Sequence, residues 1–420
     1  MKRFMLFIAM VGFVATSCSK TIVKDEVETA ISFSTESAKL TRAIVQNNPD
    51  PNDPSIVNRG VYFTNQPFGV FAYSHQKDAQ GQVIVNNTTP VMENQEIFYD
   101  ETSDPKAWRA SGDVKYYWPN DPNTSIDFYA FSPACSTALK TGALKSHQQL
   151  NGAVTHSEAD GFKLQDFSHA NNMYIDFMLA TPVIGATFTN PSGNTTPITT
   201  EVNGTVPLTF NHKLTQIVFN VSTDVVYEGV TFTVEEITLK NIVSNGTYTY
   251  NSQGNEEWLA ATTPAKSEYT IFPANDQNGG ALVNPYTESD GVKTENSVSL
   301  TYTANDQEPL SMNTTAVTMI PQTMAKCSTP YVAGQDNIDN ESVAQVFKIK
   351  YSISGKGVAK ETVTKHIAFN ASDADQNKIV HWNINKRITY KVKIGLNEVT
   401  FEPSVADWED TAGNTYTFIQ

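Results

Sequence analysis

Apolar and polar residues alternate with a period of two along most of this chain, and no long stretch repeats with the 3.6-residue period of a helix. "VFKIKYSIS", residues 346–354, places Phe347, Ile349, Tyr351 and Ile353 on one face and Lys348, Lys350 and Ser352 on the other. "ITYKVKIGL", 388–396, repeats the pattern with Ile388, Tyr390, Val392, Ile394 and Leu396. Each predicts a strand with one buried and one wet face. "AISFST", "LTQIVFNV", "TFTVEEITLKNI" and "SVSLTYT" follow the same rule. Proline lacks the ladder donor, so Pro133, Pro273 and Pro321, which close "IDFYAFSP", "YTIFP" and "VTMIP", mark strand ends or edges. Many such strands divided by Asn, Gly, Pro and Ser clusters predict an all-β fold of β-sandwiches, not a parallel α/β sheet.

The polar stretch 189–204, "TNPSGNTTPITTEVNG", lacks apolar periodicity and sits near mid-chain, where it predicts a domain boundary. A shorter breaker, "NNPDPNDPS", occupies 47–55. Two domains, or three, suit a chain of 420 residues.

The N-terminus changes the picture. Lys2 and Arg3 precede an apolar run from Phe4 to Val14, too short for the roughly 20 residues of a membrane-spanning helix. Ala15, Thr16 and Ser17 before Cys18 follow the order of a lipoprotein signal, in which the thiol is acylated and residues 1–17 are removed. The alternative is an ordinary secretory signal with an incidental cysteine, and either exports the chain. Removal takes two basic residues and no acid, leaving 27 basic against 44 acidic side chains. A chain so acidic is not expected to bind nucleic acid. Charged residues are only 17%, below the usual quarter, and Asn, Thr, Ser and Gln supply the polar surface instead. Cys135 and Cys327 could pair after export, but one bridge is no disulfide framework, and two separate buried thiols are expected.

Candidate chemistry is sparse. HExxH, CxxC, GxSxG, P-loop and dinucleotide glycine patterns are absent, and the seven histidines are scattered. His366 and His381 flank a strand boundary and read as structural. "SCSK" matches SxxK only inside the export signal. Asp373, Asp375 and Asn377 open like a calcium loop, but Lys378 replaces its glycine and Ile384 its closing glutamate. Glu235 and Glu236 lie in a strand whose alternation should send them to opposite faces. No catalytic residues, metal or cofactor are expected. The aromatic residues fall mostly on apolar faces and read as core, with sugar stacking as the alternative use.

The segments "FGVFAY" (68–73), "YYWPN" (116–120), "IDFYAFSP" (126–133), "DFMLAT" (176–181), "VPLTFNHKLTQIVFNV" (206–221) and "HWNINKRITYKVKIGLNEVTFEPSVADWED" (381–410) together resemble the fimbrillin family of Bacteroidales, the lipoprotein subunits of type V pili. One departure is Asn385, where a turn glycine is commoner. The resemblance implies two β-sandwich domains of transthyretin-like topology and export to the outer membrane through a lipid on Cys18. It also implies cleavage by an arginine-specific protease between Arg42 and Ala43, within "KLTRA". The divisions that follow are a signal at 1–17, a lipidated leader with a removable strand at 18–42, and sandwich domains at 43–205 and 206–420.

The residues supply a physical logic for this. In "AISFST", 30–35, Ile31 and Phe33 alternate with Ser32 and Ser34, so the segment can complete a sheet as a half-buried strand. Its release would uncover an apolar groove and unpaired backbone, a template for strand addition by another subunit and for an open filament. The expected donor is the C-terminal "NTYTFIQ", 414–420, whose shortness brings a tip or accessory position into competition with the stalk. "DTA", 410–412, makes Thr411 a candidate for O-glycosylation. The expected function is a non-enzymatic structural or adhesive pilus subunit, with other subunits and a host or bacterial surface ligand as partners. The alternative is a non-polymerising surface lipoprotein that binds glycans, and a hydrolase is the third class.

Overall fold

The alternating segments become strands, and among the described residues there is no α-helix. The computed structural model describes residues 29–37, 67–134 (except 79, 82 and 101–106), 150–193 (except 170–172 and 174), 204–223, 231–272 (except 262–264), 298–301, 311–325 (except 315), 345–369 (except 356) and 380–407 (except 396–398).

The first sheet contains β1 (Ser32–Ser37), β2 (Phe68–Lys77), β3 (Val83–Asp100), β4 (Ala107–Ala110), β5 (Thr124–Ser132), β8 (Met178–Ala180), β9 (Val183–Ala186) and β10 (Thr205–His212). Their order is β1-β10-β8-β5-β2-β3-β4, with β9 also on β5. β2 and β5 are covered on both faces, which their near-continuous apolar sequences require. One face builds a core of Phe33, Phe68, Trp108, Trp118, Phe128 and Phe210. The other presents Phe71, Tyr73 and Phe131 to a four-stranded sheet of β6 (Ala153–Ser157), β7 (Gly161–Ser168), β13 (Asn245–Tyr250) and β14 (Glu256–Ala260), ordered β14-β13-β7-β6.

Gly161, at the start of β7, has φ of 81°, and a Cβ there would meet the Tyr250 carbonyl oxygen at 2.1 Å. Neither the dihedral nor the backbone neighbour can yield cheaply. Gly161→Ala should cost about 2 kcal/mol or more, read as a lowered urea midpoint at unchanged m-value.

The remaining strands form two facing sheets. One contains β11 (Thr215–Thr223), β17 (Ser311–Asn313), β18 (Val317–Met319), β23 (Lys386–Ile394) and β24 (Val399–Asp407), with β11 and β23 parallel. The other contains β12 (Thr231–Val243), β15 (Lys266–Phe272), β16 (Val298–Thr301), β20 (Val346–Gly355) and β21 (Val358–Ala368). Phe219, Ile388 and Tyr390 from the first meet Phe232, Ile237 and Phe347 from the second in one core. A short pair, β19 (Gln322–Thr323) and β22 (His381–Trp382), lies apart from both sheets, although Trp382 belongs to their shared core.

The alternation in β20 and β23 is as expected: Phe347, Ile349, Tyr351, Ile388, Tyr390, Val392 and Ile394 are buried, while Lys391 and Lys393 are exposed. β12 corrects one expectation. Its pairing with β20 slips between Val234 and Glu236, so Phe232 and Val234 are buried before the slip and Ile237 and Leu239 after it. Glu235 therefore reaches Lys350 (3.2 Å) and Lys360 (3.0 Å), while Glu236 reaches Lys348. Lys348 and Lys350 share one face of β20, so both glutamates lie on the same wet face, the extra residue of a β-bulge absorbing the phase. Asn385, the departure from the turn glycine, has φ of 58°, a left-handed conformation that asparagine tolerates.

Chain order and layers do not run in step. β10 follows the polar break and spans the expected boundary at 205/206, yet it hydrogen-bonds to β1 and β8 in the first sheet. β13 and β14, from the second half, join β6 and β7 from the first.

Candidate functional site

The feature that separates this fold from a closed set of sheets is the seating of β1. It lies parallel to β10 from Ser32 opposite Thr205 to Ser37 opposite Phe210. On its other side the chain just beyond β4 comes round to meet it: Ile31 N–H donates to the Tyr116 carbonyl (2.8 Å), and Trp118 N–H donates to that of Thr29 (3.0 Å). The indole N–H of Trp118 donates in turn to the Gly204 carbonyl at 2.9 Å, tying this segment to the residue that precedes β10. β1 thus pairs with β10 along one edge, while Thr29 and Ile31 just ahead of it are bonded on the opposite side.

Its side chains hold it unevenly. Phe33 enters the first core, edge-on to Phe68 (5.8 Å) and Phe128 (5.9 Å). Ile31 packs at the margin of that core. Thr35 is fully buried, but its hydroxyl has no hydrogen-bond partner among the described residues, which costs about 1–3 kcal/mol. Ser32 and Thr205 join their hydroxyls at 2.8 Å. One large aromatic side chain and a row of backbone bonds therefore hold a strand otherwise made of Ser, Thr and Glu. The expected half-buried strand is present, with Phe33 and Thr35 facing inward.

At the end of β10, beyond the residues that pair with β1, the ring Nδ1 of His212 lies 2.7 Å from Asp176 Oδ1, with both residues buried. The pair joins "DFMLAT" to the "FNH" that ends β10, so two segments distant in sequence meet in one buried polar contact. Cys18, Arg42, Ala43 and Thr411 all lie outside the described residues, as do Cys135, Cys327, the calcium-like opening at Asp373 and the C-terminal 414–420 segment. His366 is buried within β21, and His381 Nδ1 meets Thr323 Oγ1 at 3.0 Å, so each has a structural setting.

A second group was not legible in the sequence. His75 near the end of β2, Asp127 in β5 and Glu158 in the turn between β6 and β7 converge where the four-stranded sheet covers the first. His75 Nε2 lies 3.3 Å from Asp127 Oδ2 and 2.7 Å from Glu158 Oε1. Gly185 N–H donates to Asp127 Oδ1 at 2.6 Å, holding the other oxygen toward the histidine. Beside them, burial pushes the Tyr129 hydroxyl above its ordinary pKa, with Asp127 and Glu158 adding to the shift. Burial lowers His156, against the Tyr129 ring, to about 4. The only sequence signal for this group is Asp127 itself, an acid inside the apolar run "IDFYAF".

No curated protein matches the chain. Among solved structures, a fimbrial protein from Bacteroides vulgatus is 18% identical with a TM-score of 0.49, the match covering 90% of this chain and 99% of that one. The tip fimbrial protein Mfa3 from Porphyromonas gingivalis, truncated at its C-terminus, is 10% identical with a TM-score of 0.30, over 82% of this chain and 94% of that one. A family model described as fimbrillin-like matches residues 41–408. With the greater part of its length in that match, the chain belongs to the fimbrillin-like family.

Proposed function

We propose that this protein is a pilus subunit, exported as a lipoprotein and assembled when cleavage after Arg42 frees β1 and another subunit's strand takes its slot. The observation that carries this reading is the seating of β1, an end strand paired with β10 along one edge, tethered on the other through Thr29 and Ile31 just ahead of it, and anchored by the buried Phe33. Arg42 follows Ser37 by five positions, so a cut there would sever the covalent link between β1 and the rest of the chain. Removal of β1 would uncover the backbone of β10 and apolar surface around Phe68, Phe128 and Phe210. A strand bearing larger apolar residues would fit such a seat better than one that buries Thr35. In 414–420, Tyr416 and Phe418 stand two apart, as do Phe33 and Thr35, so an incoming tail of this sequence offers two aromatic rings where β1 offers one. Each fully buried large apolar side chain stabilises by roughly 1.5–3 kcal/mol, enough to favour exchange. The exported monomer is tethered through the lipid on Cys18 until that leader leaves, and adhesion to a surface ligand follows assembly.

Glycan stacking has less support. Among the described residues, the large exposed aromatic side chains are Tyr117 and Phe188, each 40% exposed.

The reading predicts that protein sheared from cells starts at Ala43 and runs as a ladder in unboiled gels, while Arg42→Ala leaves a lipidated monomer. Wild-type protein found only as a full-length monomer would overturn it.

A further inference from the structure

His75 is 7% exposed and Asp127 8%, whereas the Glu158 side chain, on a turn, is 29% exposed. Two carboxylate oxygens approach His75 Nε2 on one side, yet that nitrogen makes no hydrogen bond of good geometry to either. The three candidate donor atoms lie within 4.8 Å of one another. His75 Nδ1 is 3.3 Å from Thr88 Oγ1, and Asp127 is fixed through its second oxygen by Gly185 N–H. Ligand residues are commonly oriented in this way by partners on their remaining polar atoms.

We propose that His75, Asp127 and Glu158 bind one divalent cation of the zinc class, pinning the β6–β7 turn to the first sheet. One imidazole and two carboxylates suit zinc, leave a fourth position for water, and balance its charge if the imidazole is neutral. A metal–ligand distance of about 2.0–2.2 Å requires the donor atoms to adjust by a few tenths of an ångström to about 1 Å, and Glu158 has that freedom on its exposed turn. Calcium, which takes six to eight oxygen ligands, is poorly served by two carboxylates and a nitrogen. The cation would join β2 and β5 to a turn from a different sheet, so its effect would be on the packing between these two layers. This site is independent of cleavage at Arg42 and of polymerisation.

The test uses the full exported chain, stripped with EDTA and titrated with Zn²⁺, Mn²⁺ or Ca²⁺. Zinc should bind at one equivalent per chain and raise Tm by roughly 3 °C or more at saturation, and Co²⁺ should give the visible bands of a low-symmetry nitrogen–oxygen site. His75→Asn and Glu158→Gln should each lose the equivalent and the shift; Glu158→Gln, on a partly exposed turn, keeps the test valid if the buried variant fails to fold. Absence of stoichiometric zinc binding in the wild type would overturn the proposal. So would a shift unchanged in Glu158→Gln, which places the cation elsewhere, or a larger shift with Ca²⁺ than with Zn²⁺.

Discussion

Phe33→Ala should weaken the hold of β1 by about 3–5 kcal/mol, and it should leave a chain that begins at Ala43 unaffected. The ring is 6% exposed and edge-on to two phenylalanines, so truncation removes apolar burial and leaves a cavity that Phe68 and Phe128 cannot fill without moving. Among the described side chains of β1, none other is a large buried apolar group. Thr35 is buried with an unpartnered hydroxyl, and Ser32 contributes a single hydroxyl contact. The backbone bonds to β10 and to Tyr116 and Trp118 persist in the variant, so the strand should still form, held less firmly. Cutting the purified precursor after Arg42 in vitro turns this into a rate: a loss of 3 kcal/mol should speed release of the leader peptide by about 100-fold. Release at the wild-type rate would mean that the backbone ladder, not the ring, holds the strand. Phe33→Leu keeps much of the volume and should fall between the two.

Stability should decline as the pH falls below about 6.5, with His169 responsible for a slope of about 1.4 kcal/mol per pH unit. Burial holds His169 down to about 3, neither ring nitrogen has a hydrogen-bond partner among the described residues, and the ring packs edge-on against Phe167 at 4.8 Å. In the unfolded chain the same histidine protonates near 6.5. Between those values the unfolded state binds a proton that the folded state refuses, so the contribution is intact above pH 6.5 and lost progressively below it. By pH 4.5 the loss amounts to about 3 kcal/mol, and His156, lowered by burial to about 4, acts in the same direction. His169→Phe retains the apolar packing and the backbone N–H bond to Ser244 while removing the titration. Urea unfolding of both proteins at pH 7 and pH 5 should give converging curves as the pH falls, with the variant gaining relative to the wild type. Parallel losses would mean that His169 is protonated in the folded state.

Strand identity was legible because a sheet with one wet face imposes its period on the sequence. β20 and β23 alternate as their residues require, and the family resemblance rests on segments that supply strands to the first sheet (β2, β5, β8, β10) and to the sheet of β11, β23 and β24. The bulge in β12 was not read, although its trace is visible afterwards as two adjacent glutamates between apolar pairs. A one-residue phase change looks like a break in alternation until the partner strand shows that pairing continues through it. The polar stretch at 189–204 does not separate the layers, because β8 and β9 before it and β10 after it belong to the same sheet.

By itself the sequence determined the all-β character, the faces of the principal strands, the family, and β1 as a half-buried strand ahead of an arginine. The strand properties are local, each following from residues adjacent or two apart, while the family rests on short segments spread from 68 to 410. Only the tertiary structure decided that β1 lies parallel to β10 against the segment beyond β4, that Asp176 meets His212, and that His75, Asp127 and Glu158 converge. Such meetings depend on which strand edges pair and which faces stack. Many strands of similar pattern could exchange places without changing any local signal, and only the packing of Phe33, Phe128 and their neighbours into one core selects among them.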